Sequence, residues 1–246
     1  MGIDIFSTSA CRMALPGIAF LVLVALSPTD LRAGPSPQAE EQAMAVIARM
    51  EAAYGRVEGY RTETEVREYR DGRVVETKRF RYTFKKPNHL RIDMESPDRG
   101  MILVYPDREG KVFVKPAGLI GFLKLHLSPD STLLRNSSGQ RIDQTDFGLL
   151  IRNMARSLTD RRQGEIDVSE QDDRVVIKVL AEDHFIAGVL TLYSFSIDRT
   201  RWFPMELEES TPDGVQKRKV IFRNMMPAAD IPDSVFRING GSPGHE

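Results

Sequence analysis

Three patterns of apolar positions follow one another along the chain, and each predicts a different kind of element. Residues 13–26 are apolar throughout, with Arg12 before them and Ser27, Pro28, Thr29 and Asp30 after them. A run of about 14 residues is short for a bilayer, which takes roughly 20. It matches the core of a secretory signal peptide with a weakly positive start. Leu31-Arg32-Ala33 before Gly34 offers a cleavage site, and Ala25-Leu26-Ser27 is a poorer rival because Pro28 follows it directly. The pattern predicts a signal peptide over residues 1–33, with an uncleaved anchor or a buried core helix as the alternatives.

The second pattern has helical spacing. Ser36-Pro37 supplies a cap and a first-turn proline. Ala43, Ile47, Met50 and Tyr54 then recur on one face, and Gly55 ends the run. One amphipathic helix is expected here.

From residue 60 onward the period drops to two. Residues 60–69 and 74–84 alternate around the hairpin turn Asp71-Gly72, and Phe80, Tyr82 and Phe84 share one face against Arg79, Arg81 and Thr83. Shorter extended stretches follow at 90–94, 101–105 and 111–115, separated by Pro, Asp, Asn and Gly clusters. Residues 117–127 break the pattern, with Leu119, Ile120, Phe122, Leu123 and Leu125 set between Gly118 and Gly121. That is too apolar for an exposed loop and too rich in glycine for a good helix, so a flap over a cavity mouth is expected. A polar loop over 128–144 leads to a second helix capped at Thr145-Asp146, with Phe147, Leu149, Leu150, Met154 and Leu158 on its apolar side. Extended segments resume at 165–170, 174–180, 189–198, 202–209 and 216–224, and 231–238 reads as a last edge segment.

These elements predict an α+β fold, mainly antiparallel β, of about ten strands in one domain over residues 34–239. The strands form a meander that curls, and residues 240–246 read as a disordered tail. A curled sheet has a concave face that can line a cavity under a helix. The expected lining is Phe80, Tyr82, Phe84, Leu90, Ile92, Met94, Val112 and Val114, joined by Val175, Ile177, Tyr193 and Phe195. A packed core is the competing expectation for the same residues.

Charge and cysteine narrow the picture. The net charge is −1, and the leader removes two charges of each sign, so no basic excess exists to attract nucleic acid. Cys11 is the single cysteine. It precedes the apolar run, where lipoprotein-type lipidation does not occur, and cleavage would leave a chain without thiols. Disulfides, zinc–thiolate sites and cysteine catalysis are then excluded together.

Catalytic chemistry finds no pattern. His89, His126, His184 and His245 lack metal-ligand spacing and read as surface residues. Asp183-His184 lacks a nucleophile elbow, and Ser137-Ser138-Gly139 reads as a turn. Glu208 and Glu209, adjacent on a strand, point to opposite faces, and Asp172-Asp173 is equally unsuited to a cooperating pair. No phosphate loop or dinucleotide glycine pattern is present. Lys217-Arg218-Lys219 reads as a solvated strand edge. The chain is therefore expected to be a binding protein, not an enzyme, with no cofactor and no metal.

At Phe84-Lys85-Lys86-Pro87-Asn88-His89-Leu90-Arg91 the chain resembles the outer-membrane lipoprotein-sorting superfamily, the LolA-like proteins. Gly100 to Tyr105, Lys111-Val112-Phe113 and Ile231-Pro232-Asp233-Ser234-Val235-Phe236 agree in order and spacing. Leu127 to Ser131, followed by Arg141 to Gly148, is similar to an uncharacterised exported branch related to that superfamily. The resemblance implies an incomplete, half-barrel sheet lidded by helices, around a cavity that accepts acyl chains. It implies lipid or lipoprotein acyl chains as partners, with inner- or outer-membrane protein partners as a further class. It also implies a lid of Ile120, Phe122, Leu149 and Leu150, held by Lys86 at the basic position before the proline; the family's usual residue there is arginine.

A periplasmic carrier or binding protein for a lipid or lipid-modified protein is the function these readings suggest. An envelope sensor or assembly factor contacting a membrane protein is the alternative. A hydrolase of an envelope polymer would need titratable side chains converging in the cavity.

Overall fold

The computed structural model describes residues 37–136, 139–159 and 166–237. The expected signal peptide, the pair Ser137-Ser138, His245 and the expected tail lie outside the described residues. Among the described residues, no helix is long and apolar enough to cross a membrane.

Helix α1 spans Pro37–Gly55 and buries Ala43, Val46, Ile47 and Met50. Its apolar face is the one that the spacing predicts. Six strands follow: β1 (Gly59–Arg70), β2 (Arg73–Lys85), β3 (His89–Ser96), β4 (Ile102–Tyr105), β5 (Val112–Lys115) and β6 (Leu125–Leu127). Helix α2 (Phe147–Thr159) connects them to β7 (Asp167–Glu170), β8 (Arg174–Glu182), β9 (Leu190–Asp198), β10 (Pro204–Ser210) and β11 (Gln216–Ala228). The Asp71-Gly72 turn has positive φ at both residues, 52° and 72°, as a tight hairpin requires.

All eleven strands belong to one antiparallel sheet in the order β6-β5-β4-β3-β2-β1-β11-β10-β9-β8-β7. Two meanders, β1–β6 and β7–β11, therefore meet where β1 pairs with β11. The sheet does not close. It is a mainly-β open half-barrel with a helical lid.

Two apolar clusters fill the space between sheet and helices. One joins α1 and the far end of α2 to β8 and β9, through Ile47, Met50, Ile151, Met154, Ile177 and Phe195. The other gathers Tyr60, Phe84, Leu90, Val112, Val114 and Phe147. Tyr60 stacks on Phe147 with ring centroids 4.4 Å apart, and its hydroxyl accepts from the Phe147 N–H at 3.0 Å.

Two expectations are corrected. The run 117–127 contributes a single-turn helix, Gly118–Ile120, and an added strand, β6. Residues 231–238 do not form an edge strand: Asp233–Phe236 is a single helical turn. Pro232 has no N–H to give a ladder. Ile231 and Phe236 instead pack on Val104, while Lys85 and Arg91 hold the carbonyls of Ile231 and Val235, both at 2.9 Å.

Candidate functional site: an apolar cavity beneath the second helix

Antiparallel register sorts the inner side chains into rows across the sheet. Glu68 stands opposite Arg218, which stands opposite Glu209. Val66, Val220 and Leu207 form the next row, and Phe80, Thr64 and Phe222 the one after. Thr62, Tyr82 and Ile92 follow. From the Glu68 row to the Thr62 row is six residues of β1, or about 20 Å.

A cavity of about 100 Å³ lies along these rows, and with its open mouth the hollow spans about 760 Å³. Its walls are Val66, Phe80, Tyr82, Ile92, Leu207, Val220 and Phe222 from the sheet, with Phe147 and Leu150 from α2. Gln140, Gln144, Thr145 and Asp146 line it where Tyr82 bonds Thr145 at 3.1 Å. Asn153, His184, Glu209 and Arg218 also line it. Phe80, Ile92, Gln140, Gln144 and Leu150 are half-buried, so the mouth lies between β2–β3, the loop before α2, and α2 itself.

Helix α2 is held in place over this space. Asp146 caps it, accepting from the Leu149 N–H at 3.0 Å. The Tyr54 hydroxyl at the end of α1 donates to the same carboxylate at 3.2 Å. Burial and the negative Asp146 both push the Tyr54 pKa up, so the phenol keeps its proton. Gly148 is required at the crossing, because a Cβ there would sit 2.7 Å from both Asp146 Oδ1 and the Tyr54 ring. Lys86 completes the chain of contacts: its ammonium donates to the Tyr54 carbonyl at 2.9 Å and lies 4.6 Å from that ring's centre. A cation on the last carbonyls of α1 complements the helix dipole.

The expected lining residues divide. Phe80, Tyr82 and Ile92 face the cavity. Phe84, Leu90, Met94, Val112 and Val114 are buried beside it with Tyr60 and Phe147. Val175, Ile177, Tyr193 and Phe195 lie in the cluster under both helices. Among the expected lid residues, Leu150 faces the cavity and Leu149 is half-buried, whereas the side chain of Ile120 lies outside the described residues. The flap expectation is corrected: Leu119 is 96% and Phe122 78% exposed, and neither lines the cavity. Gly118 opens this short turn at φ 65°, a conformation that favours glycine.

Arg218 is the residue that the sequence reading missed. The basic run 217–219 lies on β11, which is central and not an edge, and Arg218 is 8% exposed. Its parity with Val220 and Phe222 was the available signal, since alternate residues share a face. Burial raises the pKa of its neighbour Glu209, with Arg218 opposing that shift.

His184 and His89 are half-buried, not surface residues. Ser157 Oγ lies 2.6 Å from His184 Nε2 and donates to the Asn153 carbonyl at 3.1 Å. The hydroxyl has a single proton to give, so it can serve the carbonyl or the imidazole but not both at once. Burial, aided by Arg156, lowers the His184 pKa to about 4, which keeps the ring neutral. Among the described residues, no cluster of three or more His, Cys, Asp or Glu could hold a metal ion.

No protein-family model matches the chain, and no curated protein matches it. Solved structures do. A LolA superfamily protein from Nitrosomonas europaea is 12% identical, with 80% of this chain and 97% of that one covered and a TM-score of 0.38. The lipoprotein LppX of Mycobacterium tuberculosis is 8% identical over 77% and 99%, at 0.42. MucB, in its complex with MucA from Pseudomonas aeruginosa, is 10% identical over 80% and 61%, at 0.45.

Proposed function

We propose that the protein is a periplasmic binding protein or carrier that holds an acyl chain of a lipid or lipid-modified protein beneath α2. The apolar cavity between α2 and the inner face of β1, β2, β10 and β11 carries this reading. At about 12 Å³ per water-sized group, 100 Å³ takes on the order of eight such groups, and a methylene is about as bulky as a water. Burying eight methylenes contributes about 6 kcal/mol gross. A longer chain fits by running through the open mouth. Lys86 and Tyr54 act in this reading as the catch that keeps α1 and α2 over the hollow. The protein acts by binding and not by catalysis.

The test is extraction of the purified protein with organic solvent, mass spectrometry of the extract, and titration with a fluorescent acyl probe. Retained lipid or saturable probe uptake is expected. Leu150→Trp, which fills the cavity from α2, should weaken uptake at least tenfold. A folded protein that carries no lipid and takes up no probe would sink the proposal.

The second reading, an envelope sensor or assembly factor, draws on Leu119 and Phe122, which stand exposed away from the cavity. Crosslinking from position 122 to an inner-membrane protein, with no lipid co-purifying, would favour it.

A further inference from the structure

Antiparallel order sends alternate turns of the sheet to the same end. The β1–β2, β3–β4 and β5–β6 turns share one end. The pairing of β1 with β11, Glu68 opposite Arg218, brings the β10–β11 and β8–β9 turns to it as well. The other four turns, at 86–88, 106–111, 171–173 and 199–203, lie at the opposite end.

The two ends differ in what they show to solvent. Val74 and Val75 stand exposed beside the β1–β2 turn, and Val215 in the β10–β11 turn. Ile186 and Val189 are exposed in the β8–β9 turn. At β5–β6, Leu119 and Phe122 are the most exposed of all, with Leu123 and Leu125 less so. Nine of the twelve exposed large apolar side chains among the described residues thus sit at one end, and the four opposite turns carry none. Such a concentration forgoes the stabilisation of burial and marks a surface that meets something apolar.

Spread and charge select the partner. The apolar side chains stand on four separate turns between β6 and β8, about 43 Å along the curled rim at the usual strand spacing. A rigid protein face would have to match that curve, whereas a fluid bilayer fills in around each tip. Lys115 and Lys124 flank the β5–β6 tip, each one residue beyond the last strand pair, Val114 with Leu125. Lysines so placed keep their ammonium groups among lipid headgroups while leucine and phenylalanine reach the hydrocarbon edge. The three turns of the β1–β6 meander carry Arg73, Arg99, Lys115 and Lys124 against Asp71 and Asp98. Glu182, Asp183 and Asp213 lie on the other half of the rim. Asp183 is turned inward, accepting from the Phe185 and Ile186 N–H groups at 3.0 and 3.1 Å. The positive surplus therefore accompanies the most exposed apolar tip, and anionic lipid is its complement.

We propose that this end of the half-barrel docks on an anionic lipid bilayer, with Leu119 and Phe122 inserted between headgroups and Lys115 and Lys124 against lipid phosphates. The cavity extends toward the same end, where His184 and Phe185 of the β8–β9 turn line it. Docking sets the cavity close to a source of acyl chains, but it does not depend on the acyl-chain reading.

Trp202 is the single tryptophan and lies in the 199–203 turn at the opposite end, which makes it an internal control. The protein and its Phe122→Trp variant are mixed with vesicles of phosphatidylglycerol and phosphatidylethanolamine whose acyl chains are brominated. Both should sediment with the vesicles, and fluorescence should be quenched only in Phe122→Trp. Added salt should weaken the binding, and neutral phosphatidylcholine vesicles should bind about tenfold more weakly. Replacing both lysines, Lys115→Gln with Lys124→Gln, should lower affinity for the anionic vesicles about tenfold. Leu119→Ser with Phe122→Ser should lower it at least as much. Met226→Ser, at an exposed site near the opposite end, should leave it unchanged. No binding to anionic vesicles, quenching of Trp202 in the unaltered protein, or unchanged affinity in the Leu119 and Phe122 variant would overturn the proposal. Binding that requires a membrane protein in the vesicles would also overturn it and assign the rim to a protein partner. Uptake of a soluble acyl probe is measured apart, so its outcome bears on the cavity and not on the rim.

Discussion

The two flanks of the β1–β11 seam carry the same alternation of apolar side chains and come to opposite ends. Toward β8 and β9, Val175, Ile177, Val179 and Phe195 are each 1–2% exposed against α1 and α2. Toward β2 and β3, Phe80 and Ile92 are only half-buried and border the cavity. Phe80 and Ile92 match Phe195 and Ile177 in size, so bulk does not decide the difference. The difference lies above the sheet: α2 turns Ile151, Met154 and Leu158 toward the first flank and Leu150 and Asn153 toward the cavity. An apolar inner face becomes core where a helix presses on it and a cavity where the helix stands off.

Truncation is the strongest way to break that comparison. Ile177→Ala should cost about 2–5 kcal/mol in denaturant titration, as a filled core does, and Ile92→Ala less than half as much. Equal losses would mean that the cavity wall is packed like the core, and the distinction would fail.

Acid offers a second probe, at the border of the two regions, where His184 lines the cavity and stacks on the packed Tyr193 at 4.2 Å. Arg156, Asp183 and Ser157 also face the ring. The folded protein holds His184 neutral down to about pH 4, while the unfolded chain takes up the proton below 6.5. Stability is therefore complete above pH 6.5 and declines as pH falls toward 4, by about 3 kcal/mol from this ring alone. His184→Gln should flatten that part of the pH–stability curve. An unchanged slope would remove the histidine from the account.

The smallest expected effect sharpens the role of the catch. Lys86→Met should cost about 1 kcal/mol, through the last carbonyls of α1. It should speed hydrogen exchange in that last turn and the release of a bound probe, leaving exchange in β8 and β9 unchanged. Exchange that rises evenly over the whole chain would show Lys86 to be a general stabiliser instead.

Most of the secondary structure was legible because periodicity is a local property. Phe80-Arg81-Tyr82-Thr83-Phe84 reads as a half-buried strand in any context, and Asp71-Gly72 as its turn. The candidate site was legible only in part. Phe80, Tyr82, Ile92 and Leu150 were named and do face the cavity, but nine neighbours of similar character were named with them and lie in packed clusters. Alternation tells a strand which side is inward and says nothing about what stands opposite. Arg218 was obscured for a related reason: Lys217 and Lys219 beside it suggest a wet edge, and only the pairing of β11 with both β1 and β10 makes that strand central.

By itself, then, the sequence determined both long helices, every strand but β6, most of their turns and most inward-facing residues, because sterics and solvent act on neighbours two to four positions apart. Tertiary structure alone decided which strands meet, where α2 stands away from the sheet, and which charged side chain is enclosed. Those depend on contacts between residues such as Glu68, Glu209 and Arg218, which no short-range pattern joins.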